Sequence, residues 1–230
     1  MNAVSNKQPG RRNLRRDAEQ NRCQIVSAAR ELFSERGIEV PLEDIARHAG
    51  VGIATLYRRF PSRESLIEEI FVERLRQSVQ AAEEALATDD AWSGFCTYVQ
   101  RLCQMQAEDR GCRDILMMTF PTARSLEAVR IQGHVLAEQV IERAKQQGTL
   151  RQDFAPEDLI FLLLANGTFV VATSGIKKNA WKRYVALLLD GCRAESAHSL
   201  PEPPLTKRQM LRAMLRLSPV RGKHNASHHT

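Results

Sequence analysis

Pro41 and Pro61 bracket a segment of the chain that has room for only two short helices. Proline is accepted in the first turn of a helix, but further along it removes a hydrogen bond and ends the helix. Between the two prolines, Gly50 interrupts the apolar pattern shortly after the small side chain of Ala46. Two short helices that cross closely need a small residue at the crossing and a residue that tolerates positive φ in the turn. The segment therefore predicts a helix-turn-helix over residues 42–59.

Apolar residues recur every three or four positions through most of the remaining chain, which is the period of amphipathic helices. One such helix carries Ile25, Ala29 and Phe33 and ends at Gly37. Ser62 is placed to cap a long fourth helix. Further helices are predicted at residues 91–108, 112–119, 123–147, 156–173 and 178–195, and a last short one between 207 and 217. The predicted fold class is all-α.

The sequence carries no pattern that indicates catalysis or a metal site. Its five cysteines form no CxxC pair and no Cys/His cluster with zinc spacing, and their odd number argues against a disulfide framework. Patterns such as GxSxG, HExxH or a glycine-rich phosphate loop are absent. The most apolar stretch, residues 159–172, is short for a bilayer span and contains Asn166. We therefore expect a cytoplasmic protein that is not an enzyme, needs no cofactor and no metal, and does not enter a membrane.

The net charge of +6 is unevenly distributed, because both ends of the chain are basic and its middle is slightly acidic. Around the end of the second helix of the motif, Tyr57, Arg58, Arg59 and Arg63 place hydroxyl and cationic donors together. Such donors bind phosphate, and each phosphate that is neutralised steepens the salt dependence of binding. The basic residues 11–16 could follow the phosphates or the minor groove as an arm. Double-stranded DNA is therefore the predicted partner.

A resemblance to a known family is carried by the run LEDIARHAGVGIATLYRRFPSRESLI and by AARELFSERG upstream of it. Over about residues 22–72 these match the DNA-binding signature of the TetR family of transcriptional repressors. A weaker likeness, over residues 148–195, lies in GTLRQDFAPEDLIFLLL and WKRYVALLLDGCR. The resemblance implies a homodimeric regulator that is released from a palindromic DNA operator by a small effector.

The resemblance also implies which residues meet DNA. Tyr57 and Arg63 match positions at the phosphate backbone, and Ile53, Ala54 and Thr55 match the turn that faces base edges. The full predicted DNA-binding set is Ile53, Ala54, Thr55, Tyr57, Arg58, Arg59 and Arg63.

Three positions depart from the family pattern. Gly52 stands where many members have a serine, and Leu42 stands where many have a hydroxyl residue at the start of the second helix. Each change removes a hydrogen bond to a phosphate or to a helix end. Arg59 replaces a commonly found histidine.

Behind the motif the resemblance implies a helical domain that binds ligand and forms the dimer. Its aromatic, methionine and leucine side chains would line an apolar cavity with few polar groups, which suits a small apolar effector. The predicted ligand-binding residues are Trp92, Phe95, Tyr98, Val99, Leu102, Met117, Phe120, Asn166 and Phe169. Helices 156–173 and 178–195 are apolar on more than one face, so we expect them to pack against the same two helices of a second subunit in a four-helix bundle. A charge at Val185 or Leu188 should then break the dimer.

Four segments follow from these arguments. They are a disordered basic arm (1–16), an N-terminal three-helix helix-turn-helix domain (17–62), a helical ligand-binding and dimerisation domain (63–199), and a basic C-terminal tail (200–230). An alternative reading is a DNA-binding regulator controlled by a protein partner or by thiol oxidation, since Cys96 and Cys103 fall on one helix face.

Overall fold

Helices make up the described structure apart from turns and short connections. The structure, a computed structural model, describes residues 9–217. Its α-helices are α1 (Pro9–Arg36), α2 (Leu42–His48), α3 (Ile53–Arg59), α4 (Arg63–Ala87), α5 (Ala91–Glu108), α6 (Arg110–Met117), α7 (Arg124–Gln146), α8 (Pro156–Thr173), α9 (Ala180–Cys192) and α10 (Lys207–Leu217), with a 3-10 turn at Ala194–Ser196. Extended pairing within this part of the chain is limited to one isolated bridge, between Leu150 and Arg193. The all-α prediction is confirmed.

The N-terminal arm differs in part from its prediction as a disordered segment. α1 begins at Pro9, so that the described part of the predicted arm, residues 9–16, is helical. Proline is accepted as a first helical residue, and extending an existing helix adds one backbone hydrogen bond for each residue that is fixed. Residues 1–8 of the arm and residues 218–230 of the predicted tail lie outside the described residues.

Two glycines with positive φ set the turns between the first helices. Gly37 follows α1 with a φ of 87°, and Gly50 lies between α2 and α3 with a φ of 68°. A side chain at Gly50 would meet no neighbouring atom, so the backbone conformation alone requires glycine there. The Val51 N–H donates to the carbonyl of buried Ala46 at 3.0 Å and closes the turn. The predicted helix-turn-helix is confirmed in its helices and its turn.

α4 joins the N-terminal helices to the rest of the molecule. The Ser62 Oγ accepts from the Ser65 N–H at 3.1 Å, and the Ser65 Oγ accepts from the Ser62 N–H at 3.3 Å. This reciprocal pair satisfies two donors at the helix start, as the predicted cap at Ser62 requires. Further along, α4 packs against α7 and α5. α4 therefore packs both with the N-terminal helices and with the helices that follow it.

Buried apolar side chains form two clusters. The first holds the N-terminal helices together through Phe33, Leu56 and Phe71, and it extends to Ile115 on α6 and to Phe120. Its core thus continues beyond residues 17–62. The second cluster lies among α5, α7, α8 and α9. α6 stands between the two clusters and packs against α1, α4 and α5.

α8 is the one described helix that is long and apolar enough, by length and composition, to cross a membrane. It packs against α5 and α9 instead. Asn166 at its middle is fully buried, and its Nδ2 donates to Gln106 Oε1 at 2.9 Å. These contacts place one face of α8 in the protein core.

The C-terminal tail returns to the body of the protein. The predicted short helix is present as α10. Lys207 Nζ lies 2.9 Å from Glu138 Oε1 on α7, and Met210 is buried. Met214 reaches the wall of a cavity between α6 and α8. The described part of the tail is therefore docked on the helices before it.

Candidate DNA-binding helix and ligand cavity

α3 turns one face to the surface and the other to the core. Ala54, Tyr57 and Arg58 are exposed, and Tyr57 is 46% exposed. Leu56 is fully buried and anchors the helix in the N-terminal cluster. A phenol hydroxyl and a guanidinium on an exposed helix face are the donors that phosphate oxygens accept from.

The remaining predicted contacts on α3 are half-buried. Ile53 packs against the N-terminal cluster, and Thr55 is half-buried. Arg59 has a buried Nε with no hydrogen-bond partner among the described residues. Their contacts with DNA stay predictions.

Arg63 holds the loop that leads into α2. Its Nη1 donates to the carbonyl of Ile38 at 2.6 Å and to the carbonyl of Val40 at 2.7 Å. The side chain was predicted to meet phosphate, and the structure gives it a second role, because these two bonds link the start of α4 to the α1–α2 loop. A phosphate contact at Arg63 stays a prediction.

The starts of α2 and α3 have no side-chain caps. α2 follows Pro41 and α3 follows Gly52, and neither residue accepts a hydrogen bond from the helix through its side chain. Leu42 is buried in the N-terminal cluster. The apolar contact therefore replaces the hydroxyl that the family pattern would place there.

A cavity of about 540 Å³ lies between α6 and α8, and we call it the α6–α8 cavity. Its volume is in the range of sites that hold small organic ligands. Met214 of α10 and the end of α1 complete its wall. The lining residues are Arg36, Glu39, Arg110, Arg113, Asp114, Met117, Met118, Ile160, Leu163, Leu164, Gly167, Thr168, Val171, Ala172 and Met214.

Asp114 links this cavity to the DNA-binding helices. Its Oδ2 accepts from the Ile38 N–H at 3.1 Å, and Ile38 lies in the loop before α2. Gly37 makes room for this contact, since a Cβ there would lie 2.5 Å from Asp114 Oδ2. Burial raises the pKa of Asp114, while the Ile38 N–H and Arg113 act in the opposite direction.

A second, smaller cavity of about 80 Å³ lies between α5 and α7. Tyr98 and Leu102 are in its wall, and Met117 lines both cavities. His134, on the same wall, is within 2.9 Å of Arg130 Nη1. Three of the nine predicted ligand-binding residues therefore lie at a cavity.

The other six predicted ligand-binding residues are in packed positions. Trp92, Phe95 and Val99 are buried in the second cluster, because α5 turns that face toward its neighbours in the core. Phe120 belongs to the N-terminal cluster instead.

Asn166 and Phe169 also pack against protein. Asn166 bonds to Gln106, and Phe169 stacks on Tyr184 with ring centroids 4.9 Å apart. None of these six residues lines either of the two cavities, so any ligand contact by them requires a change in packing.

Burial, rather than cationic neighbours, dominates the pKa values of four of the five cysteine thiols. Burial raises the pKa of Cys96 and Cys192 to about 11, and that of Cys103 and Cys112 to about 12. Reactive thiols require a thiolate, which a raised pKa disfavours at neutral pH. Cys23, on α1, is exposed.

Two protein families match successive parts of the chain. Residues 25–70 match the family described as bacterial regulatory proteins, tetR family, and residues 90–194 match the transcriptional regulator SbtR-like C-terminal domain. The chain belongs to the TetR family. Members of the matched families are transcription regulators and not enzymes, as the sequence predicts.

Curated relatives of this TetR-family chain match only a short part of it. An HTH-type transcriptional regulator of Staphylococcus aureus is 41% identical over 54 residues, which is 23% of this chain and 29% of that protein. The match thus spans less than a third of the curated relative.

Solved structures share the fold over most of the chain. The regulator FadR from Bacillus subtilis, in complex with stearoyl-CoA, is 19% identical over 77% of this chain and all of that chain, with a TM-score of 0.55. FadR from Bacillus halodurans is 20% identical over 75% of this chain and all of that chain, with a TM-score of 0.52.

The charged part of the cavity was missed by the sequence argument. Arg113 and Asp114 lie in the run GCRDILMM, where a short helix gives too little periodicity to show which side is buried. The sequence signal that could have revealed these two residues is a pair of charges followed directly by four apolar residues.

Proposed function

We propose that this TetR-family regulator is a cytoplasmic repressor that binds a palindromic operator as a homodimer and is released by a small apolar effector. The α6–α8 cavity is the observation that carries the proposal. Its wall includes Arg36 at the end of α1 and Glu39 in the α1–α2 loop as well as residues of α8. A ligand there touches both the DNA-binding helices and the helical body.

The Asp114–Ile38 bond supports a route from the cavity to DNA. A ligand that displaces α6 moves Asp114, and the Ile38 N–H follows or loses its acceptor. Ile38 also accepts from Arg63 through its carbonyl, so the loop before α2 is held from both sides. In a dimer the two α3 helices must enter major grooves about 34–36 Å apart, or at a multiple of that spacing, and a shift of this loop changes the separation.

Exposed apolar residues on α8 and α9 support the homodimer. Phe161 and Leu187 are 38% and 59% exposed and line the same groove. Val185 is buried within the subunit, so it presents no free apolar surface, whereas Leu188 is half-buried and lines the same groove as Phe161 and Leu187. The proposed interface therefore centres on Phe161 and Leu187.

Selection of bound duplexes from a randomised pool tests the DNA-binding half of the proposal. We expect two inverted half-sites, and a single asymmetric site would contradict the dimeric operator. Fluorescence anisotropy on that operator then tests the switch. Compounds that raise the melting temperature by binding the cavity should weaken operator binding, and operator should weaken their binding by the same factor. Cavity ligands that leave operator affinity unchanged would contradict release.

Control by thiol oxidation has less support than control by a ligand. Four of the five thiols have pKa values raised by burial to about 11 or about 12. The remaining alternative, a protein partner, is favoured if no small molecule stabilises the protein and operator binding changes in the presence of a purified partner.

A further inference from the structure

The lining of the α6–α8 cavity is aliphatic on one side and charged on the other. Methionine, leucine, isoleucine and valine side chains from α6 and α8 form the apolar side, and the lining contains no aromatic residue. Flexible methionine side chains adapt to chains of different shape. The charged side has the guanidinium groups of Arg36, Arg110 and Arg113 against the carboxylates of Glu39 and Asp114. The wall therefore has one cation more than it has carboxylates.

Arg113 is the most buried of these three arginines, yet its guanidinium has no acceptor within hydrogen-bond distance among the described residues. Its side chain is 15% exposed, and its Nε lies 3.7 Å from Asp114 Oδ1, which is too far for a hydrogen bond. Asp114 commits its other oxygen to the Ile38 N–H. Burial lowers the pKa of Arg113, against the effect of Asp114. A half-buried guanidinium that donates no hydrogen bond to the described residues is a ready partner for an anion.

The buried amide side chains of Gln106 and Asn166, which are hydrogen-bonded to each other, lie directly behind this guanidinium. Gln106 is 1% exposed, and its Nε2 has no hydrogen-bond partner among the described residues. It lies 3.9 Å from the position that a Cβ of Gly167 would take, and Gly167 is in the cavity wall. The same Cβ would lie 2.9 Å from Arg113 Cδ. The absence of a side chain at Gly167 therefore gives space to Arg113 and leaves the unpaired Gln106 Nε2 close behind the cavity wall.

We propose that the α6–α8 cavity binds an aliphatic carboxylate. The carboxylate pairs with Arg113, with Gln106 Nε2 as a further donor beside Gly167, and the chain lies along Met117, Leu163 and the other apolar residues of the wall. This inference rests on the proposed function only in taking the cavity as the effector site, and it names the chemical class of the effector. An alcohol of the same length offers Arg113 a single uncharged acceptor oxygen, and an amine brings a like charge to it.

Matched probes test the head group. Octanoate, decanoate and dodecanoate are compared with the alcohols and amines of the same length by calorimetric titration of the full chain. We expect the carboxylates to bind at least about tenfold more tightly than the alcohols, the factor that a charged hydrogen bond provides. Equal affinity for carboxylate and alcohol, or no binding of any carboxylate, would overturn the proposal.

Substitutions then test the residues. Arg113→Gln should reduce carboxylate affinity about tenfold or more and leave alcohol affinity unchanged, and Arg113→Lys should recover part of the loss. Asp114→Asn removes the competing charge and should strengthen carboxylate binding. Arg101→Gln, an exposed arginine on α5 outside the cavity, is the control that changes the net charge equally. Unchanged decanoate affinity in a folded Arg113→Gln variant would remove Arg113 from the site.

Operator binding is measured separately, by anisotropy. If decanoate binds through Arg113 and operator affinity does not change, the carboxylate site stands and the switch fails. If decanol releases operator as well as decanoate does, the switch stands and the carboxylate assignment fails.

Discussion

At the scale of single residues, Tyr57 offers the cleanest test of the DNA-facing helix. Its hydroxyl is on an exposed face and makes no hydrogen bond to the described residues, so removing it leaves the packing of α3 unchanged. We predict that Tyr57→Phe weakens operator binding by about 1 kcal/mol with no change in melting temperature. Anisotropy titration and thermal denaturation measure the two effects, and unchanged affinity would place Tyr57 outside the interface.

Arg63 is predicted to behave differently, because its side chain is part of the fold. Arg63→Ala removes both hydrogen bonds to the carbonyls of Ile38 and Val40. We expect a loss of about 2 kcal/mol in the free energy of unfolding, since hydrogen bonds from charged groups contribute about 1.5–3 kcal/mol. Urea unfolding measures it. A variant as stable as the parent would show that the two carbonyls are satisfied by water.

Two substitutions at Asp114 separate the effect of its hydrogen bond on stability from the effect of its charge. Asp114→Asn keeps an acceptor for the Ile38 N–H, whereas Asp114→Ala leaves that donor unpaired and should cost about 1–3 kcal/mol more. Burial raises the pKa of Asp114, so the folded state holds its proton more tightly than the unfolded state does. The stability of the parent relative to Asp114→Asn should therefore fall as the pH rises from about 4 through the raised pKa. Urea unfolding over this range measures the difference, and a difference that rises with pH would contradict the assignment.

At the scale of helices, α9 presents different residues to the core and to the surface. Leu187 is 59% exposed, while Val185 is buried in the second cluster. We predict that Leu187→Asp yields folded monomers with weakened operator binding, because it places a charge in the proposed interface. Val185→Asp should instead lower the stability of the subunit itself.

Sedimentation and circular dichroism distinguish these outcomes. Thr97→Asp, on an exposed position of α5, is the matched control and should stay dimeric. A dimeric Leu187→Asp protein would move the interface away from the groove between α8 and α9.

The helices themselves could be predicted closely from the sequence, because local signals set their ends. Gly37 and Gly50 take positive φ, Ser62 caps α4, and Pro156 begins α8, and each of these signals acts within one turn of the chain. The start of α1 was placed too late because composition does not show whether a helix extends beyond its packed part.

The cavity could not be predicted in the same way, because it depends on how helices are rotated against one another. Tyr98, Phe95 and Trp92 share one helix, yet only Tyr98 lies at a cavity. Arg113 was overlooked since its burial results from α8 passing over it at Gly167. The periodicity of a sequence shows which face of a helix is apolar, but it does not show which neighbouring helix packs against that face.

At the scale of the whole molecule, the docking of α10 bears on how quickly the proposed effector can arrive and leave. Met214 is in the wall of the α6–α8 cavity, and Lys207 holds the helix to Glu138 by a surface ion pair. Surface ion pairs contribute little and weaken with salt. Stopped-flow rates of ligand uptake should therefore reach a plateau set by the opening of α10, and a chain that ends at Pro204 should exchange ligand faster in both directions. Equal rates in the two chains would mean that ligands pass elsewhere. Faster exchange in the shortened chain would mean that the residence time of the effector, and with it the delay before repression returns, is set by a helix outside both matched families.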